Sequence, residues 1–168
     1  VGMSIPVNAT LEFSQGGTSV ELAFHNLLDT NEASLAGRTH TLSADLTAPF
    51  GTLMNHHVDR KAGWKGLVHP EEYLGKMGLF QLKPYRPDRI PVIFVHGLMS
   101  SPATWVSALN QLRADPQLRN RYQLYVFRYP TGFPIVYNAA ALRQRIEQFQ
   151  NQVDPNRSNP NLRNMIVI

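Results

Sequence analysis

Groups able to attack, donate or accept protons are sparse in this chain, and several can be set aside on their type or spacing. It has no cysteine, which excludes thiolate catalysis, disulfides and cysteine-based metal sites. His56 and His57 with Asp59, or His40 with His69, could be drawn as a metal site. None of these fits a ligand spacing such as H-E-x-x-H, and adjacent histidines on a helix point in different directions, so no metal is expected. Glu71-Glu72 could form a carboxylate pair, but sequence neighbours are poorly arranged for acid and base roles, and a solvated turn is the better reading. Trp64 and Trp105 read as packing residues. Ser100 and Ser101 are the nearest thing to a nucleophile. They precede a helix start at Pro102, where Ser101 is better placed as an N-cap. There remains His96-Gly97, which ends the apolar run Pro91-Val92-Ile93-Phe94-Val95 and leads into Leu98-Met99. A glycine there lets the backbone approach a ligand closely.

The elements around this dipeptide follow a regular pattern. Pro91–Val95 reads as a buried strand, Pro102–Ala114 as a helix, Tyr122–Arg128 as a strand, Ile135–Val153 as a helix and Met165–Ile168 as a second buried strand. In the longer helix Ile135, Ala139, Leu142, Ile146, Phe149 and Val153 recur at spacings of four and three, a stripe that should lie on a sheet. Trp105, Leu109 and Leu112 do the same in the shorter one. A β-α-β-α-β order with short connections predicts a parallel sheet with right-handed crossovers. The continuous apolar run Met165–Ile168 has the composition of a strand buried on both faces; a chain stopping inside such a strand points to missing sequence.

Upstream the pattern changes. Asn8–Phe13 and Thr18–His25 read as strands separated by Gln15-Gly16-Gly17, which makes a hairpin, and Ala48–His57 reads as a short helix after Pro49. Between Asp59 and Pro91 glycine and proline are frequent, with Pro84, Pro87 and Pro91 leading to the next strand. The division expected is therefore residues 1–89, a β-rich extension with an irregular wrap, and residues 90–168, the regular α/β part.

Composition excludes several classes. Apolar residues make up 43% and charged residues 17% of the 168, which fits a packed domain and not a disordered chain. The formal charge is +4, but Lys and Arg are scattered singly, so no nucleic-acid surface is expected. No apolar run approaches the length of a membrane-spanning helix, and the first residues lack the pattern of a signal peptide. The start at Val1 fits a trimmed N-terminus. Oligomeric state and compartment are not written in the sequence.

The segment Ile90-Pro91-Val92-Ile93-Phe94-Val95-His96-Gly97-Leu98-Met99-Ser100-Ser101-Pro102 resembles the third strand and oxyanion loop of α/β-hydrolases, and "HGLMSSPATW" resembles bacterial lipases and esterases. The likeness continues through "LRADPQLRNRYQLYVFRYPTGFP" to the last strand, covering residues 90–168; "LSADLTAPFG" and "KPYRPDRIPV" resemble the N-terminal extension of an envelope-associated branch. The resemblance implies a partial α/β-hydrolase fold, a mostly parallel sheet with flanking helices, in which the Pro91 strand lies between the Tyr122 and Met165 strands. It implies a serine hydrolase of carboxylic esters or lipids acting through an acyl-enzyme, with neither metal nor organic cofactor. The backbone N–H of Leu98 would be one oxyanion donor, Gly97 would admit the substrate, and His96 would orient the loop. Met99, Tyr129, Thr131 and Phe133 would line the substrate pocket, although a tight structural turn at Tyr129–Pro134 accounts for that segment equally well. In that family a G-x-S-x-G elbow, then an acid and a histidine, come later. None occurs here in its required context, so nucleophile, acid and base are expected outside this chain, in a missing C-terminal part of the same protein, and residues 1–168 alone should be inactive. The alternative is a non-catalytic binding or scaffold module that has kept a hydrolase-like fold.

Overall fold

The structure is a computed structural model that describes residues 6–14, 18–43 and 62–168. The turn Gln15–Gly17, the helix expected over Ala48–His57, and the residues His56, His57 and Asp59 lie outside the described residues. The chain divides into two compact units, Val1–His56 and His57–Ile168, so the division falls upstream of the 89/90 junction drawn from the sequence.

In the first unit β1 (Val7–Phe13) pairs antiparallel with β2 (Val20–Asn26), with Leu11 opposite Leu22 and Phe13 opposite Val20. Alternation gathers Val7, Ala9, Leu11 and Phe13 with Val20, Leu22 and Phe24 on one face of the hairpin, and Phe13 and Phe24 are each 69% exposed there. The opposite face is polar, and Thr10 Oγ1 lies 2.9 Å from His25 Nε2. A second hairpin, unanticipated, joins β3 (Glu32–Leu35) to β4 (Arg38–Thr41). Its two turn residues, Ala36 and Gly37, have φ of 50° and 73°. That is the left-handed pair whose twist matches the flanking strands, in a sequence without the Asn-Gly that usually announces it.

The second unit is mixed α/β. It contains α1 (Ala62–Val68), a 3-10 segment Pro70–Lys76, β5 (Gly78–Gln81), β6 (Ile90–Val95), a 3-10 turn Pro102–Trp105 and α2 (Val106–Ala114). Then come α3 (Pro116–Arg121), β7 (Tyr122–Arg128), α4 (Ile135–Val153), α5 (Pro160–Arg163) and β8 (Ile166–Val167). The sheet order is β5-β7-β6-β8. β6 runs parallel to both neighbours, and β5 runs antiparallel to β7. The expected position of the Pro91 strand between the Tyr122 strand and the last one is therefore observed, while β5, with α1 and the 3-10 segment, was concealed in what read as an irregular wrap.

Alternation along β6 and β7 sorts the core. Ile93, Tyr125 and Phe127 are buried and receive Leu142, Ile146 and Phe149 of α4 with Ala141. Phe94 points the other way and meets Trp105 at a ring separation of 5.2 Å, and Leu109 of α2, which follows that turn, is fully buried. Helices thus lie on both faces. At the amino-terminal edge of the parallel strands Gln123 fixes the approach to β6. Its amide donates to the carbonyls of Arg86 and Arg89 and accepts from the N–H of Arg86.

Four expectations need correction. The stripe of α4 works only from Leu142 onward: Ile135 is 86% exposed and Ala139 is exposed too, because the first turn extends beyond the sheet and buries Asn138 instead. The helix from Pro102 to Ala114 begins as a 3-10 turn, and Pro116, capped by Asp115 through the amides of Gln117 and Leu118, starts a separate α3. Trp64 is exposed. Among the described residues the last strand is not buried on both faces: β8 lies at the edge of the sheet, and Ile166, Val167 and Ile168 are exposed. An apolar run has the same composition in both settings; only the number of paired neighbours distinguishes them.

Candidate functional site

Because β6, β7 and β8 are parallel, their carboxyl ends emerge at one edge of the sheet. Val95 is in register with Phe127, and the pairing with the last strand continues through Ile168, whose N–H donates to the Ile93 carbonyl at 2.9 Å while the Val95 N–H donates to its carbonyl at 2.8 Å. The segments that follow, His96–Met99 and Tyr129–Phe133, are therefore brought together beside Ile168. Crevices at the carboxyl ends of parallel strands are where open α/β sheets bind ligands.

The first segment turns sharply. Ser100 N–H donates to the Gly97 carbonyl at 3.3 Å and Met99 has φ of 55°, as a turn with a left-handed third residue requires; for a methionine that is a strained setting. Leu98 is 71% exposed. Among the described residues nothing accepts a hydrogen bond from the amides of Leu98 or Met99. A Cβ built on Gly97 would meet nothing within 4 Å, so the strand end is sterically open. The turn is closed by Ser101, whose hydroxyl accepts from the Ala103 N–H, the capping role expected of it.

His96 is buried, with 2% of its surface exposed. Its Nδ1 lies 3.2 Å from the Gly97 carbonyl, which can only accept, so Nδ1 carries the proton and Nε2 presents a lone pair. Among the described residues Nε2 has no partner. Burial lowers the imidazole pKa, an effect that the neighbouring backbone of Gly97 and Tyr129 only partly offsets, which keeps the ring neutral near pH 7.

Tyr129 is the principal contact of this histidine. The phenol hydroxyl donates to the His96 carbonyl, and the two rings stack with centroids 4.3 Å apart and planes 11° from parallel. Behind it Phe127 stacks on Tyr129 at 5.4 Å. Burial raises the phenol pKa, so the hydroxyl stays protonated and able to donate. The rest of the second segment is anchored. Asn138 Nδ2 donates to the carbonyls of Pro130 and Phe133, Gly132 N–H donates to the Gly66 carbonyl at 3.0 Å, and Phe133 lies against Tyr137 at 5.0 Å. Thr131 is buried with its hydroxyl unpartnered among the described residues.

Of the four residues expected to line a pocket, then, Met99 is exposed on the loop, Tyr129 supports His96 from beneath, and Thr131 and Phe133 belong to a packed turn. A cleft of about 380 Å³ lies elsewhere, between α4 and β5, lined by Leu79, Tyr125, Arg145 and Phe149 among others, and includes none of these residues. It sits on the flank of the sheet beside β5, and its lining includes no residue from the carboxyl ends of the parallel strands β6, β7 and β8. Sequence reasoning missed Gly132 and Asn138. An asparagine one residue ahead of an apolar stripe position was the available signal. No family model, curated protein or solved structure matches the chain.

Proposed function

We propose that this chain supplies the oxyanion loop of a serine hydrolase acting on carboxylic esters or lipids, within an α/β-hydrolase fold. One observation carries the reading: a glycine-containing turn at the carboxyl end of a parallel strand, between two parallel neighbours, presents Leu98 as an exposed residue whose amide has no acceptor among the described residues. When a nucleophile adds to an ester carbonyl, negative charge collects on the carbonyl oxygen, and a fixed N–H donor about 3 Å away stabilises it by about 3–4 kcal/mol. Leu98 N–H is the donor in this assignment. Gly97 leaves room for the substrate, and neutral His96 acts as a structural support, since its buried Nε2 has no hydrogen-bond partner among the described residues. The sheet order and the parallel pairing of β6 support the assignment.

No G-x-S-x-G segment occurs in residues 1–168, so the nucleophile, acid and base are assigned to sequence beyond this chain. The test uses two proteins, the product of the whole gene and residues 1–168 alone, each treated with a p-nitrophenyl ester and a fluorophosphonate probe. The gene product is expected to turn over and become labelled, and the 168-residue chain to do neither. A nitrophenolate burst from the 168-residue chain would place the nucleophile within it and refute the assignment. An inert gene product would favour a non-catalytic binding module.

A further inference from the structure

We infer that Tyr129 is a positioning residue for the Leu98 donor: through its hydrogen bond to the His96 carbonyl and its stack on the His96 ring, it fixes the peptide from which the turn departs. The inference rests on the oxyanion-loop assignment above and adds a residue that motif reasoning had placed on a pocket wall.

The geometry concentrates on one side chain. Phe127, near the end of β7, and Tyr129, the first residue past it, are two apart in a chain still extended there and share a face. The Phe127 ring is in the core, 1% exposed, and its stack with Tyr129 carries the rigidity of the core to the sheet edge. Tyr129 then takes hold of His96 at two points, the imidazole face and the backbone carbonyl. Fixing a carbonyl fixes the plane of the peptide it belongs to, here the one joining His96 to Gly97. The next peptide carries the Leu98 N–H. Nothing lies within 4 Å of where a Cβ on Gly97 would stand, so the turn is not walled in on that side and depends on what anchors its start. Its far end has a separate anchor in Ser101. A hydrogen-bond donor aimed at a developing charge loses effect with small displacements, so the hold at Tyr129 sets how well the donor works.

The test is made in the product of the whole gene. Tyr129→Phe keeps the ring stack and deletes the hydroxyl. It is expected to lower kcat about tenfold with KM changed less than about twofold, and to lower the ¹⁵N order parameters of Gly97 and Leu98 while those of β7 stay at rigid values. Tyr129→Leu, which removes the stack as well, is expected to lower both further. Unchanged order parameters in Tyr129→Phe would overturn the inference, whatever the activity. So would lowered order parameters with kcat intact, since the hold would then be structural only. Should the parent protein hydrolyse no ester, the hydrolase assignment fails by itself, and the order parameters still decide whether Tyr129 holds the turn. If Tyr129→Phe does not fold, the unsubstituted protein decides: a Tyr129 hydroxyl proton protected from exchange, with an Overhauser contact to His96, supports the hold, and its absence removes it.

Discussion

Gly132→Ala should damage the second unit by an amount that follows from what surrounds the residue. A Cβ at that position would lie 2.4 Å from the Leu67 carbonyl oxygen, 3.0 Å from the Gly66 carbonyl oxygen and 3.0 Å from Pro70 Cγ. Carbon and carbonyl oxygen normally approach to no less than about 3.3 Å, so roughly 0.9 Å of movement must be found against backbone. Moving residue 132 outward stretches the bond from its N–H to the Gly66 carbonyl, 3.0 Å long at present, beyond useful range. Overpacking of this kind costs about 1–3 kcal/mol, and the lost hydrogen bond adds about 1 kcal/mol. A destabilisation of about 2–4 kcal/mol corresponds to a fall in Tm on the order of 10 °C for a unit of this size. Thermal unfolding followed by near-ultraviolet circular dichroism reads it, since half-buried Trp105 packs against the buried Phe94 ring. Gly75→Ala is the control: its Cβ would meet nothing within 4 Å, and a change below about 0.5 kcal/mol is expected. If Gly132→Ala unfolds within about 0.5 kcal/mol of the parent, or no differently from Gly75→Ala, the close approach of the 129–134 turn to the end of α1 is wrong.

Two more predictions concern other residues. His96 has a folded pKa below its ordinary 6.5, so the unfolded chain binds the proton more readily; its contribution to stability is complete above about pH 6.5 and is lost as pH falls toward the folded value, with a slope of at most about 1.4 kcal/mol per pH unit. Urea titrations at pH 7 and pH 5 should show this loss in the parent and a smaller one in His96→Gln, whereas equal losses would mean that His96 is not buried neutral; Asp88 and Asp154, whose pKa values are lowered from 3.8, act only in a more acidic window. Ala36→Asn should stabilise the β3–β4 hairpin by about 0.5–1 kcal/mol, because Ala36 sits at φ of 50° where asparagine is better tolerated; a lower urea midpoint would contradict the left-handed turn.

Much of the framework was legible because period and length agreed. Tyr122–Arg128 and Ile135–Val153 have the bounds read from the sequence, Pro91–Val95 is β6 less its first residue, and the first hairpin differs by one or two residues at its strand ends. What escaped had weak local signals. β5 is four residues, Gly78–Gln81, in a stretch rich in glycine and proline, and it is a strand only because β7 offers it a ladder. Ile135 continues a helical stripe past the place where the sheet ends. At the candidate site, the turn after His96 announces itself in adjacent residues, whereas the contact that steadies it joins residues 33 apart. No reading of either segment alone could supply that pairing.

The strand order also dictates how the sheet can come together. β5 and β6 are made early, yet each takes its partner from β7, which separates them in space: Gly78 pairs with Arg128 and Ile90 with Tyr122. A nascent chain that has not yet emerged past Arg128 holds two strands with no ladder between them, so assembly waits for one late segment to slot into the gap. Zipping in the order of synthesis is closed to this topology. The pause before β7 arrives is the interval in which the apolar β6 is most open to capture by a chaperone or by another unfinished chain.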